Sequence, residues 1–147
     1  MKIYLDNCCF NRPYDDQTHI KVEVETKAKL YIQSLVADGT LDLVWSYVLD
    51  YENSKNNHPQ KTMAIQKWQE LSVLDIDESS EIVSTSKEIQ ATGVKPIDSL
   101  HVACAIHSGT DCFLTVDKRL LKYKDDRVII CDPVEFLRIW EAMNNDE

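Results

Sequence analysis

The sequence predicts an α/β protein, a three-layer α/β/α sandwich on a central parallel sheet, and three observations predict it. Short apolar runs at 2–5, 41–45, 73–76, 112–116 and 128–131 alternate with amphipathic helical stretches, the pattern of strands covered by helices on both faces. The 147 residues are about one domain's length, enough to bury most of the apolar surface of the unfolded chain, so a single domain over 1–147 is expected. Two of the apolar runs lead into a carboxylate, Asp6 and Asp117, and open parallel sheets bind ligands beyond the carboxyl ends of their strands.

Each element follows from local chemistry. Residues 2–5 read as a short buried strand that stops at a turn-like Asp6-Asn7-Cys8-Cys9, and residues 10–18 read as an extra loop. Ile20, Val24, Ala28, Tyr31 and Leu35 recur at helical spacing and predict an amphipathic helix closed by Gly39. The run 41–45 is β-rich, and Ser46 is placed to cap a short helix through Asn53. Pro59 suits a helix start, with Met63, Ala64, Trp68 and Leu71 expected to face inward before the strand 73–76. Ser79 or Ser80 caps the next helix, which carries Ile82, Val83, Ser86 and Ile89 and ends at Gly93. Pro96 opens a helix that stops at Gly109 and holds Asp98 in its first turn. The apolar run 112–116 delivers Thr115 and Asp117, and a short basic helix follows at 118–122. After the strand 128–131, Asp132-Pro133-Val134-Glu135 resembles a capping box for a last helix through Trp140.

Composition narrows the function classes. A net charge of −9 argues against unspecific, salt-driven binding to a polyanion. Carboxylates gathered in a metal site are neutralised by the ions they hold, however, so a nucleic-acid substrate needs only a local basic patch. Five cysteines without a C-x-x-C pair argue against a disulfide framework or zinc knuckle and are expected as small buried side chains in a reducing compartment. Met1 to Asp6 reaches a carboxylate too soon for a signal-peptide apolar region, and no run is long enough to span a bilayer; a cytoplasmic protein is expected.

The chemistry lies in the acids. Mg²⁺ and Mn²⁺ prefer hard oxygen ligands, and phosphodiester hydrolysis commonly uses carboxylates from separate elements to hold them. Asp6 ends a strand, Glu52 comes from a helix, Asp98 opens a helix whose positive end favours an anion, and Asp117 follows a strand. Singly, each has a plainer reading: a turn residue, a solvated helix residue, a helix-start charge and a helix cap.

Together they form a pattern that resembles the PIN domains, which include the VapC toxins of toxin–antitoxin pairs. Ile3-Tyr4-Leu5-Asp6-Asn7 is similar to the family's first strand with its metal-binding Asp, and Ser46-Tyr47-Val48-Leu49-Asp50-Tyr51-Glu52 to its Ser-then-Glu helix. Pro96-Ile97-Asp98-Ser99-Leu100-His101-Val102-Ala103-Cys104-Ala105 with Leu114-Thr115-Val116-Asp117 is similar to its third and fourth acids. The resemblance implies a metal-dependent endoribonuclease, the toxin of a toxin–antitoxin pair, with Asp6, Glu52, Asp98 and Asp117 as catalytic ligands of Mg²⁺ or Mn²⁺. Asn7, Ser46 and Thr115 become supporting polar groups. It further implies an RNA substrate, a small antitoxin partner and a homodimer. Arg12, Lys95, Lys118 and Arg119 are candidate RNA contacts, with Lys122 and Lys124 nearby; a solvated helix face is the plainer reading of the lysines.

Other residues read structurally. His101, three positions after Asp98, is expected as a packed or hydrogen-bonded histidine, Glu23 and Lys27 as an i,i+4 pair, and Trp45, Trp68 and Trp140 as core. Two functional alternatives were weighed: a catalytically silent PIN-fold scaffold that binds protein or RNA, and a phosphatase using Asp6 as nucleophile. The second wants another Asp two residues on, where Cys8 stands.

Overall fold

Five parallel strands form one sheet in the order β3-β2-β1-β4-β5: β1 (Lys2–Leu5), β2 (Asp42–Ser46), β3 (Leu74–Ile76), β4 (Cys112–Leu114) and β5 (Ile129–Cys131). The computed structural model describes residues 1–145; Asp146 and Glu147, the end of the domain expected over 1–147, lie outside the described residues. The helices are α1 (Asn7–Asn11), α2 (Ile20–Ala37), α3 (Tyr47–Ser54), α4 (Pro59–Gln66), α5 (Ser80–Gln90), α6 (Pro96–His107), α7 (Lys118–Leu121) and α8 (Pro133–Asn144).

The chain runs from β1 outward to β2 and β3, then returns across the sheet to β4 on the other side of β1. Right-handed crossovers put connections that run in opposite directions on opposite faces. Accordingly α2 packs with α8 and α5 packs with α6, and the sheet lies between helical layers as expected. The reversal of direction falls between β1 and β4, which opens a crevice at their carboxyl ends. Register is Ile3 opposite Cys112 and Leu5 opposite Leu114, so Asp6 and Thr115 leave the sheet side by side. Asp6 N–H continues the ladder to the Leu114 carbonyl at 2.9 Å.

The central strands are fully apolar because both faces are covered: Ile3, Tyr4, Leu5, Val44, Trp45, Cys112, Phe113 and Leu114 are all fully buried. Tyr4 stacks on Phe113 with centroids 5.2 Å apart, and Phe10 tilts onto Trp45 at 5.4 Å. Of the three tryptophans expected in the core, Trp45 is at its centre, whereas Trp68 and Trp140 are partly buried at its margin. Gly39 and Gly109 end α2 and α6 at positive φ, where only glycine avoids a Cβ clash. No helix among the described residues is long and apolar enough to cross a membrane.

Three local expectations are corrected. The stretch after Asp6 is a loop only at 15–19; residues 7–14 are helical. Asp6 caps α1 by accepting from Asn7 N–H, a turn of 3₁₀ helix follows at Arg12–Tyr14, and Phe10 is buried rather than exposed. On α2, Ala28 and Leu35 of the expected row are buried, but Ile20, Val24 and Tyr31 are exposed, and Glu25, Lys29, Ile32 and Val36 complete the buried stripe. Partners explain the rotation: Glu25 receives the Arg12 guanidinium at 2.7 Å, and Lys29 lies 5.6 Å above the Phe10 ring, so polar residues go inward with their charges paired or capped. In and after α4, Ile65 is the buried residue, while Met63, Ala64 and Leu71 face solvent. Asn53 ties α3 to α4 instead, donating to the Thr62 carbonyl at 3.0 Å and to Gln66 Oε1 at 2.9 Å.

Candidate functional site

The crevice between β1 and β4 gathers acids from four elements. Asp6 is nearly buried, and Glu52, Asp98 and Asp117 are half-buried. Asp6 is the most constrained. One of its oxygens accepts from Asn7 N–H at 2.8 Å, and the other accepts from Thr115 Oγ1 at 2.9 Å and from the Cys8 thiol at 3.3 Å. Thr115 also receives Asp117 N–H at 3.1 Å, so one hydroxyl sets the spacing between the first and last acids. Asp117 caps α7 through a single oxygen, Oδ1, which accepts from Arg119 and Leu120 N–H. The plainer readings of Asp6 and Asp117 as local caps are therefore correct.

Ser46 ends β2 and caps α3 through Leu49 N–H at 3.3 Å. That places Glu52 over the same strand ends from one turn and a half along the helix. Asp98 sits in the first turn of α6, behind Pro96. Its carboxyl is pushed up to about 6, first by burial and then by the charges of Asp6, Asp117 and Glu52, with His101 opposing the rise. The charges of all three other acids thus reach Asp98.

A histidine completes the arrangement. His101, on the inner face of α6, is fully buried. Its Nε2 makes a short hydrogen bond to Glu52 Oε1 and lies 3.7 Å from Asp6 Oδ1. Its Nδ1 meets the Tyr4 hydroxyl at 2.6 Å, and that hydroxyl meets Ser46 Oγ at 2.6 Å. Burial works to lower the imidazole's pKa, but the Glu52 bond and the charges of Asp6, Glu52 and Asp98 leave it raised. Burial and the nearby Cys104 keep Tyr4 a neutral phenol. The expected hydrogen-bonded histidine is correct, yet its partner is an acid of the site. Tyr4 was not singled out in the sequence, although a tyrosine in a fully buried strand requires a partner for its hydroxyl.

Cys9, Cys104, Cys112 and Cys131 are buried as expected, whereas Cys8 is half-buried at the crevice. The basic candidates divide. Lys95 and Arg119 line a cleft with Asp98, Lys122, Tyr123 and Lys124, and Lys118 is exposed at the start of α7. Arg12 is turned away, paired with Glu25 and with Asp15 at 3.1 Å.

The fold is similar to that in the crystal structure of VapBC2 from Rickettsia felis bound to a DNA fragment from their promoter, with a TM-score of 0.55 and 16% identity over 88% of this chain and 97% of that chain. At that identity the likeness is one of fold. No curated protein matches the chain. The model of the family described as PIN domain matches residues 3–126, which includes the four acids and everything that orients them. The chain belongs to the PIN domain family.

Proposed function

We propose that this protein is a metal-dependent endoribonuclease that hydrolyses RNA phosphodiester bonds as the toxin of a toxin–antitoxin pair. The observation that carries the reading is the meeting of Asp6 and Glu52 near a half-buried Asp98, whose carboxyl is pushed up to about 6 first by burial and then by the charges of Asp6, Asp117 and Glu52. Like charges at this density destabilise one another unless a cation relieves them. The donor set fits Mg²⁺ or Mn²⁺: it is rich in carboxylate oxygens, and oxygens of Asp6 and Glu52 lie within 4.8 Å of each other. Asp6, Glu52, Asp98 and Asp117 would hold the ion. When bound, a divalent cation supplies Lewis acidity toward a phosphate oxygen and lowers the pKa of water.

The chain's own groups do the rest. Thr115 and the Asn7 amide hold the Asp6 carboxylate in one orientation, and Ser46 sets the start of the helix that carries Glu52. The cleft beside Asp98 offers Lys95, Arg119, Lys122 and Lys124 to phosphates and the Tyr123 ring to a base. This local basic patch reconciles an RNA substrate with a net charge of −9. Arg12 would have to exchange Glu25 and Asp15 for RNA, so Lys95 and Arg119 are the stronger contacts. An antitoxin, a homodimer and a cytoplasmic location belong to the same reading; the exposed apolar residues Ile20, Val24 and Tyr31 on α2 support a face that a partner covers.

The test is direct. Purified protein incubated with mixed RNA should cleave it in Mn²⁺ or Mg²⁺ and leave it intact in EDTA; persistence of intact RNA with both ions sinks the proposal. Mn²⁺ at about 100 times its Kd should also stabilise the fold by about 2.7 kcal/mol in thermal melts. Replacing Lys95 and Arg119 together by alanine should flatten the dependence of log affinity for single-stranded RNA on log salt by about 0.7 per lost contact. Mn²⁺ affinity should not change in that variant, because neither lysine nor arginine can ligate a cation; an unchanged salt slope would remove both residues from the RNA path.

A further inference from the structure

We infer that Ser46, Tyr4 and His101 form a buried relay that positions Glu52 for the cation, with His101 acting as a positioning residue and not as a ligand. The inference rests on the metal-dependent reading above and deepens it. Tyr4 comes from the central strand β1, Ser46 from the end of β2 and His101 from the inner face of α6. All three are fully buried, and their polar atoms are consecutive partners leading to Glu52.

Donor bookkeeping gives the relay a direction. An ionised carboxylate only accepts, so His101 Nε2 must carry a proton and donate it to Glu52 Oε1. In the neutral imidazole Nδ1 then accepts, and its hydrogen-bond partner among the described residues is the Tyr4 hydroxyl, 2.6 Å away, which donates its single proton there. The Tyr4 oxygen in turn accepts from Ser46 Oγ at 2.6 Å, and Ser46 Oγ accepts from Leu49 N–H at 3.3 Å. From Ser46 to Glu52 Oε1 each donor meets an acceptor, with no donor left against a donor.

The consequence is positional. Glu52 rides on α3, a helix of only eight residues, and its side chain is the most exposed of the His101–Asp6–Glu52 cluster at 29%. Left alone, a half-exposed glutamate samples several rotamers. The imidazole fixes one of its oxygens, Oε1, and so restricts the rotamers open to the side chain. Tyr4, stacked on Phe113, cannot move without disturbing the core, and through it the rigid sheet dictates the tautomer and ring orientation of His101. Outer hydrogen bonds of this kind typically alter metal affinity by about 10–100-fold.

The test uses the full chain and two readouts that do not depend on cleavage. In metal-free protein, ¹⁵N spectra of the histidine rings should show a proton on Nε2 of His101. Mn²⁺ affinity, by calorimetry or by the EPR signal of free Mn²⁺, should fall about 10–100-fold in His101→Leu and by about tenfold in Tyr4→Phe. The Tyr4→Phe change removes one hydroxyl and keeps the stacked ring, so it remains informative if His101→Leu fails to fold. Combined with His101→Leu it should cost no further affinity, because both act through one path. A His101 whose Nε2 is bare, a Tyr4→Phe affinity equal to wild type, or a ¹⁴N imidazole coupling on bound Mn²⁺ would each overturn the inference. Wild-type protein with the Nε2 proton in place but no uptake of Mn²⁺ would instead sink the metal-dependent reading, and the relay would have no cation to serve.

Discussion

Asp98→Asn should abolish metal-dependent RNA cleavage, lowering the rate by more than about 100-fold, since loss of a ligand costs at least what loss of an outer-shell group does. Assays in Mn²⁺ beside wild type read this directly, and equal cleavage by both proteins would remove Asp98 from the site. The same substitution should stabilise the protein in EDTA. The sign follows from linkage: the folded carboxyl is raised to about 6 from an ordinary 3.8, so the folded state holds its proton longer than the unfolded chain. Stability contributed by Asp98 is therefore full below about pH 4 and lost as pH rises to about 6. Asparagine carries no charge and escapes that loss. Melts in EDTA should show the variant gaining about 1–2 kcal/mol at pH 7.5, a figure discounted from the full shift because the side chain is half-exposed. At pH 4 the gain should vanish. Cation uptake by wild type should weaken as pH falls through about 6, because a proton and a divalent ion compete for the carboxylate.

Trp45→Ala should cost about 3–5 kcal/mol, the largest stability effect of any single side chain discussed above. Trp45 is fully buried in β2, packs against Phe10 5.4 Å away and donates from Nε1 to Asp50 at 2.9 Å. Its loss opens a cavity beneath α1 and α3, the two helices that follow Asp6 and Ser46. Small domains are stable by about 5–15 kcal/mol in total, so the urea midpoint should fall steeply. Trp140→Ala, at the partly buried margin, should cost clearly less. An unfolding free energy for Trp45→Ala within about 1 kcal/mol of wild type would contradict the packing of the central strand.

Much of this molecule was legible in one dimension because its signals are local. The strands at 2–5 and 112–114 are unbroken apolar runs, as strands covered on both faces must be. The stops at Gly39 and Gly109, the caps Ser46 and Ser79 and the proline starts at Pro59 and Pro96 act within a few residues of themselves. The i,i+4 pair Glu23–Lys27 forms at 2.9 Å for the same reason. Asp6, Asp98 and Asp117 could be placed at strand or helix ends without knowledge of any distant contact.

The errors arose where the deciding partner is remote. Which face of α2 turns inward depends on Arg12, Phe10 and α8, which no periodicity in α2 encodes; the apolar row Ile20, Val24, Ala28, Tyr31 and Leu35 therefore locates only Ala28 and Leu35 of a buried stripe that also takes in Glu25 and Lys29. Phe10 was read in a loop because nothing beside it announces Trp45. In the same way, His101 and Tyr4 are unremarkable singly and acquire a role only when α6, β1 and α3 meet.

The sequence by itself determined the order of the strands and of the longer helices and placed Asp6, Asp98 and Asp117 at element ends, since capping, chain stiffness and apolar patterning operate over one or two turns. Only the tertiary structure decided that β1 and β4 are neighbours, that the acids share one crevice and raise Asp98, and that a buried hydroxyl and imidazole stand behind Glu52. Charge repulsion, burial and hydrogen-bond direction depend on distance through space, and distances between residues far apart in the chain exist only once the sheet has closed around β1.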